Sequence, residues 1–185
     1  SEMGTVIPMR FCTIFFNKSN LLDFINGRID GIGKALASFS DKEEWTIKLF
    51  YNRNRFLQQN MQDERLEMEN KIKRASRGAS YFLKKKMDKE LEYKAREKTV
   101  RIKDEFWKNI KNKFKDGVIN ENLSRKASER DEDMILNAAA LVPKADIESF
   151  ISELERQEKI LRELNITIDA AGPWPMFNFS RDVIK

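Results

Sequence analysis

The chain contains no histidine. That single absence removes the usual general base, the commonest zinc ligand, and both the Ser-His and Cys-His nucleophile arrangements. There is one cysteine, Cys12, so an internal disulfide framework is excluded, which suits a reducing compartment. No run approaches the roughly eighteen apolar residues of a membrane span, and the N-terminus lacks a signal-peptide core. Glycine-rich phosphate loops are missing too. "GRIDGIG" (27–33) has no following Lys-Ser/Thr and lies inside a helical pattern. Carboxylates are plentiful but scattered, with no visible focus for acid–base chemistry. These absences point to a noncatalytic protein without metal, cofactor or small-molecule substrate.

What is present is a globular balance in 185 residues, with 41% hydrophobic and 35% charged side chains and a net charge of +5. The charge permits an anionic partner without requiring one. Ser1-Glu2 before Met3 reads as a remnant, and the chain as part of a longer protein.

Period-two alternation in "TVIPMRFCTIFF" (5–16) predicts a first strand, with Cys12 as inert packing inside it. Leu21, Leu22, Ile25, Ile29, Ile32 and Leu36 then recur at helical spacing, with Ser19 or Asn20 as the cap. "EEWTIKLFY" (43–51) is a second strand that buries Trp45, Ile47 and Leu49. From about 52 to 128 the chain is Lys/Arg/Glu-rich and proline-free, with sparse apolar stripes. Two readings stay open there: an antiparallel hairpin turning near Gly78, with arms over roughly 54–75 and 79–118, or one kinked helix. "DMILNAAALVP" (133–143) is a third strand, the stripe from Ile147 to Leu164 a second helix, and "NITIDAAG" (165–172) a final strand.

The expected architecture is therefore α+β: a ferredoxin-like β-α-β-β-α-β antiparallel sheet with a long helical hairpin inserted between strands 2 and 3. Residues 4–51 and 129–185 would form the discontinuous body and 52–128 the inserted hairpin. Similar folds bind RNA by stacking bases on the central strands, but here the third strand carries no aromatic residue, so nucleic acid is an unfavoured partner.

Five stretches, "VIPMRFCTIF", "EEWTIKLF", "RGASYFLKKK", "NAAALVP" and "GPWPMFNF", occur in an order that resembles the gas vesicle protein L/F family. Cys12, Met176 and Phe177 depart from that family's usual glycine, proline and tyrosine. The resemblance implies a cytoplasmic accessory protein of gas vesicle assembly that binds the amphipathic shell protein or other accessory proteins, at the vesicle or its assembly site. A minor structural component of the vesicle surface is the alternative it leaves, with RNA binding below both. It also implies an α/β domain ahead of the first strand.

Trp174 is the foremost partner-binding residue, an indole set between φ-restricted Pro173 and Pro175 and joined by Phe177 and Phe179. It could equally fold back as a lid on its own sheet. Arg10, between Met9 and Phe11, is either half of an ion pair with Glu44 or an exposed partner contact. Tyr81 and Phe82 either pack the hairpin base or contact another protein, Tyr81 then joining Lys84 and Lys85 in meeting a partner. The interleaved acids make most of that arm an ordinary solvated face.

Overall fold

The computed structural model describes residues 4–183. Among them the element order is α1 (Lys18–Asn26), α2 (Ile29–Phe39), β1 (Lys42–Tyr51), α3 (Arg53–Asn60), α4 (Gln62–Lys73), α5 (Arg77–Ile110), β2 (Asp116–Ile119), the single turn α6 (Arg125–Ser128), β3 (Asp133–Pro143), α7 (Ile147–Glu163) and β4 (Ile166–Trp174). The strands make one four-stranded sheet in the order β2-β3-β1-β4, antiparallel throughout.

Residues 5–16 do not form the expected strand. Pro8 has no N–H to give to a ladder. The chain instead turns, with Thr13 donating its amide to the Arg10 carbonyl at 3.1 Å and Cys12 in the left-handed region at φ 62°. Both neighbours of β1 are already supplied, by β3 and β4. Cys12 is accordingly exposed rather than packed, and Phe11 is 97% exposed. The fourth strand is β2, only four residues long and inside the 52–128 region expected to be wholly helical hairpin. The predicted single first helix is two, broken at Gly27-Arg28, and α1 is capped by Asn17, whose side chain accepts from the Asn20 amide at 2.9 Å. The long helices lie between β1 and β2, so they bridge two strands of the sheet rather than extending a hairpin tip.

Alternation along the strands divides the sheet cleanly. Ile47 and Leu49 of β1, Ala138 and Ala140 of β3 and Ile166 of β4 share one face with Phe106 and Ile110 of α5 and Phe150, Leu154 and Leu161 of α7. Small strand residues against large helix rings give one close-packed cluster. Trp45 sits at its edge, half-buried and edge-on to Phe150 at 6.0 Å. A smaller cluster of Ala35 and Phe39 from α2, Leu141 and Met176 covers one end of the opposite face, with Ile7 and Phe179 packed against it. Where the rest of that face is polar, Arg130 lies 4.2 Å over the Phe50 ring and pairs with Asp169 at 3.1 Å.

The helical arm is a hairpin: α4 packs along α5, burying Met68 and Ile72 on one side and Leu91 and Ala95 on the other. It turns over 74–76, so Gly78 belongs to the first turn of α5. Asp146 and Glu148 stand at the N-terminal end of α7, where carboxylates complement the helix dipole. Asn165, at φ 56°, then makes the left-handed step into β4.

Candidate functional site

The last strand ends in Gly172-Pro173-Trp174, and its pairing with β1 runs as far as Trp174 opposite Glu44. Gly172 is required by close approach. A Cβ there would lie 2.6 Å from Trp45 Cδ2 and 3.0 Å from the Glu44 carbonyl oxygen. The Gly172–Pro173 peptide is cis. Beyond it the chain folds back on the sheet. Met176 is buried, its carbonyl accepts both the Ser180 amide (3.1 Å) and the Ser180 hydroxyl, and its own amide points to the Val6 carbonyl at 3.5 Å.

What fastens this segment is Glu44, 1% exposed. Its two carboxylate oxygens accept from the Asn178 side-chain amide at 2.7 Å and the Asn178 backbone amide at 2.9 Å. The Asn178 side-chain oxygen in turn accepts from Asn120 at 3.1 Å and Arg181 at 2.9 Å. Burial pushes the Glu44 carboxyl above its ordinary range, and the Asn178 donors and the Arg181 charge oppose that rise. Glu44 is thus tied to the chain terminus and not to Arg10, which is exposed in the N-terminal turn. The expected ion pair is replaced by an amide clamp because residues 5–16 are not alongside β1.

With Met176 and Phe179 turned inward, Pro173, Trp174, Pro175 and Phe177 face out. Trp174 is 46% exposed and Phe177 53%. The indole Nε1–H donates to Thr46 Oγ1 at 3.3 Å, which fixes the ring's orientation from the strand beneath. Beside it lies a cavity of about 190 Å³, walled by Val6 and the Pro173–Met176 segment and edged by Lys42 and Lys144. The chain terminus is therefore both a lid and an exposed platform.

Four of the predicted site residues, Trp174, Pro173, Pro175 and Phe177, come together on this surface. Phe179 belongs to the packing underneath. Tyr81, Lys84 and Lys85 are exposed on the first turns of α5, at the hairpin's far end. Tyr81 and Phe82 do not pack the hairpin base: they meet edge-on in the open, 65% and 66% exposed, and the α5 residues packed against the core begin at Met87. Asn178 was not singled out by sequence. Its signal is a polar residue between two phenylalanines. Among the described residues no group of His, Cys, Asp and Glu could hold a metal ion, and no helix is long and apolar enough to cross a membrane.

A family model described as gas vesicle synthesis protein GvpL/GvpF matches residues 1–181. The chain is 26% identical over 187 residues to gas vesicle protein L of Haloferax mediterranei, covering 97% of this chain and 57% of that protein. It is also 26% identical over 188 residues to gas vesicle protein L1 of Halobacterium salinarum, covering 98% and 66%. It thus spans just under two thirds, or less, of the length of these curated relatives. The crystal structure of gas vesicle protein GvpF from Anabaena sp. PCC7120 has the same fold at a TM-score of 0.72 and 17% identity, over 96% of this chain and 70% of that one. GvpF from Microcystis aeruginosa aligns at 0.67 and 16% over the same shares.

Proposed function

The chain belongs to the gas vesicle synthesis protein GvpL/GvpF family, and on that premise we propose that it docks the amphipathic vesicle shell protein, or another accessory protein, through the outward face of its C-terminal clasp. The observation that carries this reading is Trp174, half-exposed yet oriented by Thr46 and anchored from below by Glu44 and Asn178. An exposed aromatic held in place before binding has little conformational freedom left to lose. Aromatic side chains bury about 150–250 Å² each and dominate interface hot spots. Lys144 beside the cavity would orient an acidic neighbour, Lys42 being already held by Asp41 at 2.6 Å. The protein acts without catalysis, in the cytoplasm at the vesicle or its assembly site.

The organisation that serves this role is, in our reading, a body of residues 4–51 and 129–185 carrying a helical arm, 52–128, of which β2 alone enters the sheet. Counted from Lys42, the order β1, α3–α5, β2, β3, α7, β4 fits the ferredoxin-like β-α-β-β-α-β plan, shifted one strand along the chain from the sequence expectation.

The test is calorimetric titration of purified shell protein, with a pull-down from assembled vesicles alongside. Trp174→Ala, verified as folded by circular dichroism, is expected to bind about tenfold or more weakly. Unchanged binding by that variant removes the proposal. Washing vesicles with concentrated denaturant separates transient assembly work from a structural place on the surface, since a shell component is retained.

A further inference from the structure

We propose a second binding site, on the opposite side of the sheet from the clasp, for a short acidic peptide segment with apolar residues between its carboxylates. It is a cavity of about 660 Å³ bounded by the end of β1, one face of α5 and the connection from β2 to β3. That volume is in the range of clefts that hold specific ligands. Four cations, Arg53, Arg96, Lys103 and Arg125, line it against one carboxylate, Asp133.

The carboxylates nearby are already committed. Asp133 is held by Arg125 in a two-point contact at 2.7 and 2.8 Å, and Arg53 is held by Glu92 at 2.5 Å. Among the described residues Lys103 pairs with the exposed Asp104, at 3.0 Å, and Arg96 forms no ion pair. Arg96 and Lys103 are seven residues apart on α5, hence on one helix face with a rise of about 10 Å between them. They are the cations open to a ligand, and they match two carboxylates.

The remaining wall sets the ligand's class. Val100 is 51% and Leu123 39% exposed, which offers apolar contact between the charges. Tyr51 is the only aromatic residue in the lining and is 7% exposed, so no face is available to stack a nucleotide base. A concave site of this shape accepts a peptide segment and not a flat lipid surface. The site is independent of the clasp.

The experiment is fluorescence anisotropy with the whole chain and a labelled, end-blocked peptide of alternating glutamate and leucine, with ATP and an alternating serine-leucine peptide as separate arms. The glutamate peptide is expected to bind, to weaken as salt rises, and to weaken by about tenfold or more in the double variant Arg96→Glu/Lys103→Glu. The pair Lys84→Glu/Lys85→Glu on the same helix, and Trp174→Ala, should leave its binding unchanged. Circular dichroism confirms that each variant is folded. The proposal is overturned if the glutamate peptide does not bind, if the serine peptide or ATP binds as tightly, or if the hairpin-tip variant weakens binding as much as the cavity variant.

Discussion

Glu44, near the start of β1, and Asn178, close to the chain's end, are 134 residues apart in sequence and joined by two hydrogen bonds. Each bond has a buried carboxylate as its acceptor, the situation in which a hydrogen bond matters most. The tail is thereby held by its polar centre, with the apolar contacts of Met176 and Phe179 on either side.

Breaking that link should release the tail while sparing the sheet. Asn178→Ala leaves a buried carboxylate short of donors and is expected to cost about 2–3 kcal/mol in urea denaturation. Limited proteolysis should find new cleavage within 175–183 and none within β1 or β3. A variant as stable and as protected as the parent would contradict the clamp.

The same link predicts a pH signature. Burial raises the Glu44 carboxyl above its ordinary 4.5, so the folded state keeps that proton longer than the unfolded chain. Its contribution is therefore full below pH 4.5 and is lost as pH rises through the folded value. The stability advantage of the parent over Glu44→Ala should shrink on going from pH 4 upward. Asp133 behaves oppositely. The hydrogen bond from Arg125 pulls it below 3.8, so its contribution is present above that value and fades as the medium is acidified. Paired melts of parent with Glu44→Ala, and of parent with Asp133→Asn, should give slopes of opposite sign.

Two glycines should resist substitution for reasons of space. Gly172→Ala drives a methyl group against the Trp45 ring and the β1 backbone, and Gly117→Ala sets one 2.6 Å from the Phe114 ring and 2.8 Å from Trp107. Each is expected to lose about 1–3 kcal/mol by thermal or chemical denaturation. Gly31→Ala, where an added Cβ meets nothing within 4 Å on α2, serves as the control and should be neutral or slightly stabilising.

Much of this molecule could be read from periodicity. The strands read at 43–51 and 133–143, the α7 stripe and the helical character of the region after β1 follow from side-chain spacing, because each has a core to face. That this region has two arms does not follow from spacing. Residues 5–16 alternate just as well, yet Phe11, Ile14 and Phe16 are exposed, and alternation says nothing about whether a sheet has a place for the strand. β2 is not legible in the sequence because four residues with a glycine make too short a pattern. Its Gly117 is there to let Trp107 and Phe114 close over it, a requirement visible only in three dimensions. At the site, the prolines and Trp174 stood out by composition. Asn178 and its tie to Glu44 did not, since the partner of a buried acid is set by the fold and not by nearby sequence.

The fastening residue lies beyond the last strand, so the sheet can be complete while the platform is not. A chain ending a few residues short of Asn178 would still have all four strands and their helical backing, but would leave Glu44 without its donors and the tail aromatics unseated. The seating of the aromatics is in this way a step separate from completion of the sheet.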